Sequence, residues 1–306
     1  MKRYLELLNE ANKICFNDVQ LKNIFSKYLP FNKMNYSFDE RCEINSWSCA
    51  CLIQENEIHR KLHSVLHSIV FYDMYSGDFD DNIKRYYNYK VNMYFDKECS
   101  DYDLSCMISH MLNVSHNSYL VGGCIRDICI GKTPKDFDFV TDVSYEKLEE
   151  YFSLHDIQFK TTGKKFNVFN VILHEKQYEI ALFRKDGTYS DGRRPDYVEI
   201  GDIFSDSERR DFSVNSLYFH LGSKKLLDPT GKGIDDVHNK TLRFNGKPEK
   251  RIKEDNLRVF RAYRFMLKGF YPESSTLSAI RSNFDEALLN TSPERIKNEI
   301  ENMVGL

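Results

Sequence analysis

One segment, Tyr119–Asp142, constrains the fold more than any other part of this sequence. Its pattern predicts an apolar strand, a glycine pair, a short helix, a turn and a second strand. Paired glycines between a strand and a helix let a phosphate approach the backbone closely, at the positive end of the helix dipole. Arg126, on the short helix, can add a charge-assisted contact. The segment therefore predicts a phosphate-binding turn at Gly122 and Gly123.

The second strand of this segment carries two carboxylates, Asp136 and Asp138. Alternate residues of a strand share one face, so we expect these two side chains together, with Phe137 and Phe139 on the opposite, buried face. Carboxylate oxygens suit Mg²⁺ and similar hard cations. An isolated Asp-x-Asp pair is more often surface charge, but after the glycine turn it predicts a metal site beside a phosphate site.

Composition limits the class of protein. The chain has 306 residues, 41% hydrophobic and 29% charged, which is typical of a globular protein long enough for two domains. No apolar run is long enough to span a bilayer, and residues 1–14 have the pattern of an amphipathic helix and not of a signal peptide. Eight irregularly spaced cysteines then indicate reduced thiols. We expect a cytoplasmic protein with no membrane partner. High Asn, Lys, Tyr and Phe content is typical of an AT-rich genome, bacterial or viral, and a viral protein would act in the host cytoplasm.

Three regions are expected along the chain. Residues 1–115 show helical periodicity and form a predicted N-terminal accessory domain. Its role would be helical packing against the catalytic head, or contact with a protein partner or a second copy of the chain. Residues 116–238 alternate short apolar runs with turns and helical stretches, which predicts an α+β catalytic head. Residues 239–306 return to helical spacing and form a predicted helical neck.

The net charge of −3 conceals a local excess of positive charge. Lys240–Lys268 holds ten Lys and Arg residues against three acidic ones. Within it Asp255, Arg258, Arg261 and Arg264 recur every third residue, which predicts a stripe along one helix face. A phosphate-binding surface requires such an excess, and a solvated helix face is the alternative.

In their combination and order these features resemble the class II tRNA nucleotidyltransferase and bacterial poly(A) polymerase family, within the DNA polymerase β-like nucleotidyltransferase superfamily. The resemblance covers about residues 119–306 and implies an α+β head with a mixed or antiparallel sheet, flanked by helical regions. The motifs that carry it are Tyr119–Asp142, Tyr178–Asp196, Arg209–Leu217, Leu227–Val237, Glu254–Phe265 and Ser292–Glu299.

The resemblance also implies roles for particular residues. Asp136, Asp138 and Glu179 would hold two Mg²⁺ ions, which activate an RNA 3′-hydroxyl and stabilise the departing pyrophosphate. Asp255 and Arg258 would present donors and acceptors to the incoming base and favour C and A. The full set implied in nucleotide binding is Gly122, Gly123, Arg126, Asp127, Arg210, Asp211, Asn215, Glu254, Asp255, Arg258, Arg261 and Arg264.

The activity implied by the resemblance is addition of C and A to the 3′ end of tRNA, with ATP and CTP as substrates. Gly163–Val171 is closer to the poly(A) polymerase form, so polyadenylation of general RNA ends is an alternative. A nucleotidyltransferase that modifies a protein or a small molecule is a further alternative, and the base-selecting helix argues against it. The carboxylates together with Arg126 and Arg210 argue against a catalytically inactive binding module. Typical family members continue into body and tail domains, which this sequence lacks.

Three histidines four residues apart, His59, His63 and His67, lie near Cys49 and Cys51. A metal site is one interpretation of this spacing. No Cys-x-x-Cys pair completes such a site, so a helix face with packed polar histidines is favoured.

Overall fold

The computed structural model of the chain describes residues 79–98, 102–163 and 167–304. The chain divides into two units, residues 1–82 and 83–306, and nearly all of the described residues belong to the second. The three-histidine pattern, the two nearby cysteines and residues 164–166 of the Gly163–Val171 motif lie outside the described residues.

The strands and helices of the described residues alternate through the first part of the second unit, and helices dominate its end. The strands are β1 (Ser118–Val121), β2 (Asp138–Thr141), β3 (Gln158–Gly163), β4 (Val168–Leu173), β5 (Lys176–Leu182), β6 (Arg184–Asp186), β7 (Val198–Ile200), β8 (Tyr218–His220), β9 (Lys225–Leu227), β10 (Thr241–Leu242) and β11 (Tyr271–Pro272). The helices are α1 (Phe79–Glu98), α2 (Tyr102–Val114), α3 (Gly123–Cys129), α4 (Tyr145–Leu154), α5 (Ile203–Arg209), α6 (Gly233–His238), α7 (Pro248–Glu254), α8 (Arg258–Leu267), α9 (Ser274–Ser282), α10 (Phe284–Asn290) and α11 (Pro293–Val304).

The centre of the unit is a seven-stranded sheet in the order β3-β4-β5-β2-β1-β8-β9. Neighbouring strands are antiparallel except β2 and β5, which are parallel. The sheet is therefore mixed, and the predicted α+β head with helical flanks is confirmed. Two short pairs, β6 with β7 and β10 with β11, lie outside this sheet.

The two faces of the sheet differ in what covers them. Leu120, Phe139 and Ile180 are fully buried in the main hydrophobic core, together with side chains of the surrounding helices. The opposite face carries a smaller apolar cluster that includes Val140 and Ala181. Because side chains alternate along a strand, the residues two positions before these, Asp138 and Glu179, belong to this second face.

Helices α1 and α2 share the main core with the sheet. Phe95 of α1 stacks on Phe219 of β8 with ring centroids 5.1 Å apart, and Met107 and Met111 of α2 are fully buried. The division of the chain at Asn82 therefore differs from the sequence-based boundary at residue 115. The boundary between head and neck at residue 238 stays a prediction.

The spacing of charges in the segment Glu254–Phe265 predicts one helix, but the structure divides this segment between two helices. Helix α7 ends at Glu254, and Asp255 has an extended backbone with φ −147° and ψ 106°. The Asp255 carboxylate accepts a hydrogen bond from the Leu257 backbone N–H at 3.2 Å, just before α8 begins at Arg258. Short acidic side chains compete with the helix by bonding to nearby backbone in this way. Asp255 therefore lies between two helices and not in line with the arginines of α8.

No helix among the described residues has both the length and the apolar character needed to cross a membrane.

Candidate active site

A cleft of 820 Å³ lies between the β1–α3 turn, the start of β2 and the neck helices α8 and α11. Ten basic and five acidic side chains line it, so positive charge exceeds negative and the cleft suits phosphate groups. All but two of the residues implied by the motifs line this one cleft. They are Gly122, Gly123, Arg126, Asp127, Asp136, Asp138, Arg210, Asp211, Asn215, Asp255, Arg258, Arg261 and Arg264.

The two remaining residues lie beside the cleft and do not line it. Glu179 is an exposed residue of β5 paired directly with Asp138 of β2. Glu254 lines a neighbouring cavity of 770 Å³. Its carboxylate accepts hydrogen bonds from Arg251 and, at 2.9 Å, from Arg258. Glu254 therefore holds two arginines of the neck and does not face the nucleotide cleft.

The glycine turn requires glycine at Gly122 for two reasons. Its backbone has φ +80°, in the left-handed region that side chains rarely adopt. A Cβ atom there would also lie 3.3 Å from the Arg210 guanidinium. The Gly122 N–H donates to the Leu217 carbonyl at 3.1 Å, which ties the turn to the strand region that carries β8. The turn thus brings Arg210 against the start of α3.

The carboxylates gather at the end of β2, although not all on the strand. Asp138 is the first residue of β2, whereas Asp136 is exposed and precedes the strand, so the expectation that both lie on one strand is wrong. The two charges are nevertheless close enough to interact. The pKa of Asp138 is raised to about 6, mainly by burial and then by the charges of Glu179 and Asp136, while Arg210 acts in the opposite direction. Within the described residues, neither Asp136, Asp138 nor Glu179 receives a side-chain hydrogen bond or an ion pair.

This group of carboxylates fits an open Mg²⁺ site. No group of three or more His, Cys, Asp or Glu side chains in the described ranges could hold a metal ion by itself, so other ligands would have to complete the site. Mg²⁺ is usually bound by only one or two carboxylates together with water and substrate phosphates. The donors here are all oxygens, and the mutual repulsion that raises the pKa of Asp138 is what a cation would relieve. Asp136 and Asp138 face the cleft, and Glu179 adjoins Asp138.

Arg126 forms part of the cleft wall. It is buried, and its Nε and Nη2 donate to one Asp127 oxygen at 2.9 and 2.7 Å. Its Nη1 donates to the Asn215 side-chain oxygen, and its guanidinium lies 4.9 Å from the centre of the Phe265 ring. These contacts fix its orientation, so Arg126 presents a held charge to the cleft and not a mobile one.

The network continues from Asn215 across to the neck. Asn215 donates to Asp211 at 2.9 Å, and Arg261 Nε donates to the other Asp211 oxygen at 2.7 Å. Burial would raise the pKa of Asp211, but Arg261 and Asn215 outweigh it and hold that pKa well below its usual range. Arg264 Nε lies 3.1 Å from Glu299 of α11. A continuous set of paired charges therefore joins α3, α8 and α11.

Arg210 is held by a separate pair of partners. It donates to Asp206 at 3.0 Å through Nη2 and to the Tyr218 hydroxyl at 3.0 Å through Nε. Burial of Asp206 would raise its pKa, but Arg210 and Arg209 lower it to about 2. Arg210 is thus fixed beside Gly122 by an ionised, buried carboxylate.

The positive excess of Lys240–Lys268 is smaller in the structure than in the sequence. Its arginines pair with acidic residues that are often distant along the chain, so much of this charge is compensated, and the phosphate-binding role stays a prediction. The pairs are Arg243 with Asp236 and Glu273, Arg251 and Arg258 with Glu254, Arg261 with Asp211 and Glu299, and Arg264 with Glu299.

Several cleft residues were not predicted. Lys132 and Lys135 line the cleft without an ion pair in the described part of the chain, and they flank Pro134 in the turn before Asp136. That position next to the Asp-x-Asp pair is the signal that would have indicated them. Arg295 and Asn302 also line the cleft from α11. Arg295 lies within the Ser292–Glu299 motif, whereas no local pattern connects Asn302 with the cleft.

Comparison with known proteins agrees with this site. Residues 118–243 match the Poly A polymerase head domain. The chain is 33% identical over 200 residues to a CCA-adding enzyme of Bacillus velezensis, covering 65% of this chain and 49% of that protein. It is also 33% identical over 195 residues to poly(A) polymerase I of Haemophilus influenzae, covering 60% and 42%.

Among solved structures, the Bacillus stearothermophilus CCA-adding enzyme in complex with CTP superposes with a TM-score of 0.58 at 28% identity. The match covers 66% of this chain and 48% of that one. The chain thus spans about half the length of the curated relatives it matches. Residues 118–243 therefore carry a Poly A polymerase head domain, and the chain is similar to CCA-adding enzymes and to a bacterial poly(A) polymerase.

Proposed function

We propose that the protein is a template-independent RNA 3′-end nucleotidyltransferase that adds C and A residues to the 3′ terminus of tRNA. One observation carries the proposal. The cleft joins unpaired carboxylates, Asp136 and Asp138, to a wall of held arginines. That combination suits transfer of a nucleotide from a triphosphate, because it offers a metal site and phosphate-binding charge together. The CCA-adding relatives support the choice of reaction.

In this proposal, the carboxylates bind metal ions and the basic residues bind the phosphates of the triphosphate. Asp136, Asp138 and Glu179 would hold two Mg²⁺ ions, which supply activation of the RNA 3′-hydroxyl and neutralisation of the departing pyrophosphate. Gly122 leaves room for a phosphate next to the backbone, and Arg210 lies against it. Lys132 and Lys135, which have no ion pair in the described residues, can follow the phosphates as charge moves. Arg126 and Arg261 act as a fixed positive wall.

Choice of base would depend on Asp255. Arg258 is buried, and its guanidinium donates to the Arg251 and Arg209 carbonyls at 2.7 and 3.1 Å as well as to Glu254. Its donors are therefore largely occupied, and the Asp255 carboxylate is the acceptor on this wall of the cleft. Cytosine and adenine carry an amino donor where uracil and guanine carry a carbonyl oxygen. A carboxylate in this position favours CTP and ATP as substrates.

The partners in the proposal are a tRNA 3′ end and nucleoside triphosphates, in the cytoplasm. The accessory role of residues 1–115, as a contact for a protein partner or a second copy of the chain, belongs to the same proposal. So does the division into a catalytic head of residues 116–238 and a neck of residues 239–306.

The experiment is a transfer assay with purified protein, Mg²⁺ and each labelled nucleoside triphosphate in turn. The acceptors are tRNAs that lack the terminal CCA, CA or A, beside an unrelated RNA of equal length. Ordered addition of C, C and A restricted to tRNA is the expected result. Labelling of a protein or small molecule in place of RNA, or no transfer at all, would contradict the proposal.

A second candidate is a poly(A) polymerase that acts on general RNA ends. The likeness to poly(A) polymerase I of Haemophilus influenzae favours it. In the same assay it would give long A tails on the tRNA and on the unrelated RNA alike, with CTP unused.

A further inference from the structure

Helix α11 supplies two charged side chains to the cleft region from positions four residues apart, Arg295 and Glu299. The nitrogen Nη2 of Arg295 donates to both carboxylate oxygens of Asp255, at 3.1 and 3.2 Å. Glu299 is buried and lies 3.1 Å from Arg264 Nε and 3.9 Å from Arg261 Nη1. One face of α11 therefore contacts both acidic Asp255 and basic Arg261 and Arg264 on the opposite wall of the cleft.

Asp255 depends on this support because its own backbone gives it little. It lies between α7 and α8 in an extended conformation. Apart from the Arg295 contacts, its carboxylate accepts one hydrogen bond in the described residues, from the Leu257 N–H at 3.2 Å. A partly buried carboxylate with one such bond can still rotate about its side-chain torsions. The bridge from Arg295 restricts that rotation.

We propose that Arg295 is a positioning residue for base selection. It holds the Asp255 carboxylate in one orientation, so that the oxygen lone pairs left free by Arg295 and Leu257 face the cleft. A base with an amino donor is then accepted, and a base with a carbonyl oxygen meets a fixed negative charge. The inference rests on the proposed function, since selection is expressed only when a nucleotide is bound.

Glu299 has a different consequence although it lies on the same helix face. It holds Arg261 and Arg264, whose positive charge faces the part of a nucleotide common to all four substrates. Loss of Glu299 should weaken all four nucleoside triphosphates together. Loss of Arg295 should change the preference among them. The two residues therefore separate selection from general binding.

The test compares Arg295→Gln, Arg295→Lys and Glu299→Gln with a matched control, Lys297→Gln. Lys297 is exposed on the same helix, and within the part of the chain that the structure describes it pairs only with exposed Glu301, at 3.7 Å. The measurement is kcat/KM for CTP, ATP, UTP and GTP on a tRNA acceptor, with the melting temperature of each variant.

Arg295→Gln is expected to reduce discrimination against UTP and GTP about tenfold, and Arg295→Lys to retain most of it. Glu299→Gln is expected to raise KM for all four nucleotides by a similar factor and leave the ratios unchanged. Lys297→Gln is expected to match the wild type.

A common loss of kcat/KM for all four nucleotides in Arg295→Gln would overturn the inference and leave a structural role. If Arg295→Gln does not fold, Arg295→Lys decides. Values of kcat/KM close to wild type for CTP and ATP, with a rise of less than about tenfold for UTP and GTP, support the inference. Wholly unchanged selectivity with a shifted melting temperature contradicts it. Absence of transfer by the wild type is a separate outcome, which would refute the proposed function itself.

Discussion

The carboxylate end of the cleft and its arginine wall differ in whether their charged side chains have partners in the described part of the chain. Asp136 and Asp138 have no ion pair or side-chain hydrogen bond among the described residues, and their mutual repulsion helps to raise the pKa of Asp138 to about 6. Arg126, Arg258 and Arg261 are each held by two or more partners. Among the described residues, the carboxylates are thus left without partners, whereas these three arginines are held by partners before any ligand arrives.

The difference indicates that the carboxylate end requires a bound ligand to compensate its charge, whereas the arginine wall is organised before a ligand binds. Crowded carboxylates destabilise the free protein, and such a cost is commonly found where function requires it. A wall of held cations can stabilise charge on phosphates without reorganising during the reaction. A change to the carboxylates should therefore affect catalysis more than folding. A change to the arginines should affect folding as well.

The largest effect is expected from Asp138→Asn, which keeps the shape of the side chain and removes its charge. Nucleotide transfer should fall by about a thousandfold or more, because a metal ligand is lost. Single-turnover transfer measures this, with Asp285→Asn on exposed α10 as the control. A loss within a few fold would remove Asp138 from the catalytic site.

Arg258→Ala tests the opposite region. The substitution leaves the Arg251 and Arg209 carbonyls and Glu254 short of a donor in a buried setting, and should cost about 3 kcal/mol of unfolding free energy. Urea denaturation measures the loss, and exposed Lys253→Ala on α7 should stay within about 0.5 kcal/mol of wild type. Equal values for the two variants would mean that the arginine wall is not organised in advance.

The pH dependence of stability sharpens the comparison. The pKa of Asp138 is raised from its ordinary 3.8 to about 6, so the folded protein holds this proton more tightly than the unfolded chain does. The contribution of protonated Asp138 to the free energy of unfolding is therefore fully present at low pH and is lost as pH rises from about 4 through 6. In the presence of a chelator, Asp138→Asn should gain about 1–2 kcal/mol relative to wild type between pH 4 and pH 7. Parallel stability curves for the two proteins would show that the carboxylates do not repel one another.

The smallest effect concerns two glycines with similar backbones. Gly122 and Gly231 have φ of +80° and +64°, so alanine should cost each about 1 kcal/mol of unfolding free energy. Only at Gly122 does the added methyl group meet a guanidinium, that of Arg210 at 3.3 Å, whereas Gly231 has nothing within 4 Å. Gly122→Ala should therefore also lower kcat/KM for the triphosphate about tenfold, and Gly231→Ala should not. Equal kinetics in both variants would argue against a role for the turn in placing Arg210.

The local parts of the site follow from the sequence, and the long-range parts do not. Gly122 and Asp138 are predictable because a strand, a turn and a helix within one short segment place them. Sequence periodicity carries no information about partners such as Asp211 with Arg261 or Asp255 with Arg295, which are 50 and 40 residues apart. The ion pairs that compensate much of the charge on Lys240–Lys268 could not be predicted for this reason.

Two further features of the fold have causes that the spacing of residues does not reveal, one local and one between distant parts of the chain. The regular spacing from Asp255 to Arg264 predicts one helix, but the Asp255 side chain bonds to the backbone of Leu257 and separates two. Helical periodicity in α1 and α2 correctly indicates helices. Their packing on the sheet depends on aromatic contacts such as Phe95 with Phe219, between residues far apart in the chain.

We propose that Asp136 and Asp138, which have no ion pair among the described residues, bind a divalent cation. The most direct measurement is electron paramagnetic resonance of Mn²⁺, which takes oxygen ligands as Mg²⁺ does, bound to the protein with an unreactive CTP analogue. We expect the wild type and Asp285→Asn to bind Mn²⁺ equally, and Asp136→Asn and Asp138→Asn to bind it at least about tenfold more weakly. Equal Mn²⁺ binding by all four proteins would contradict the account.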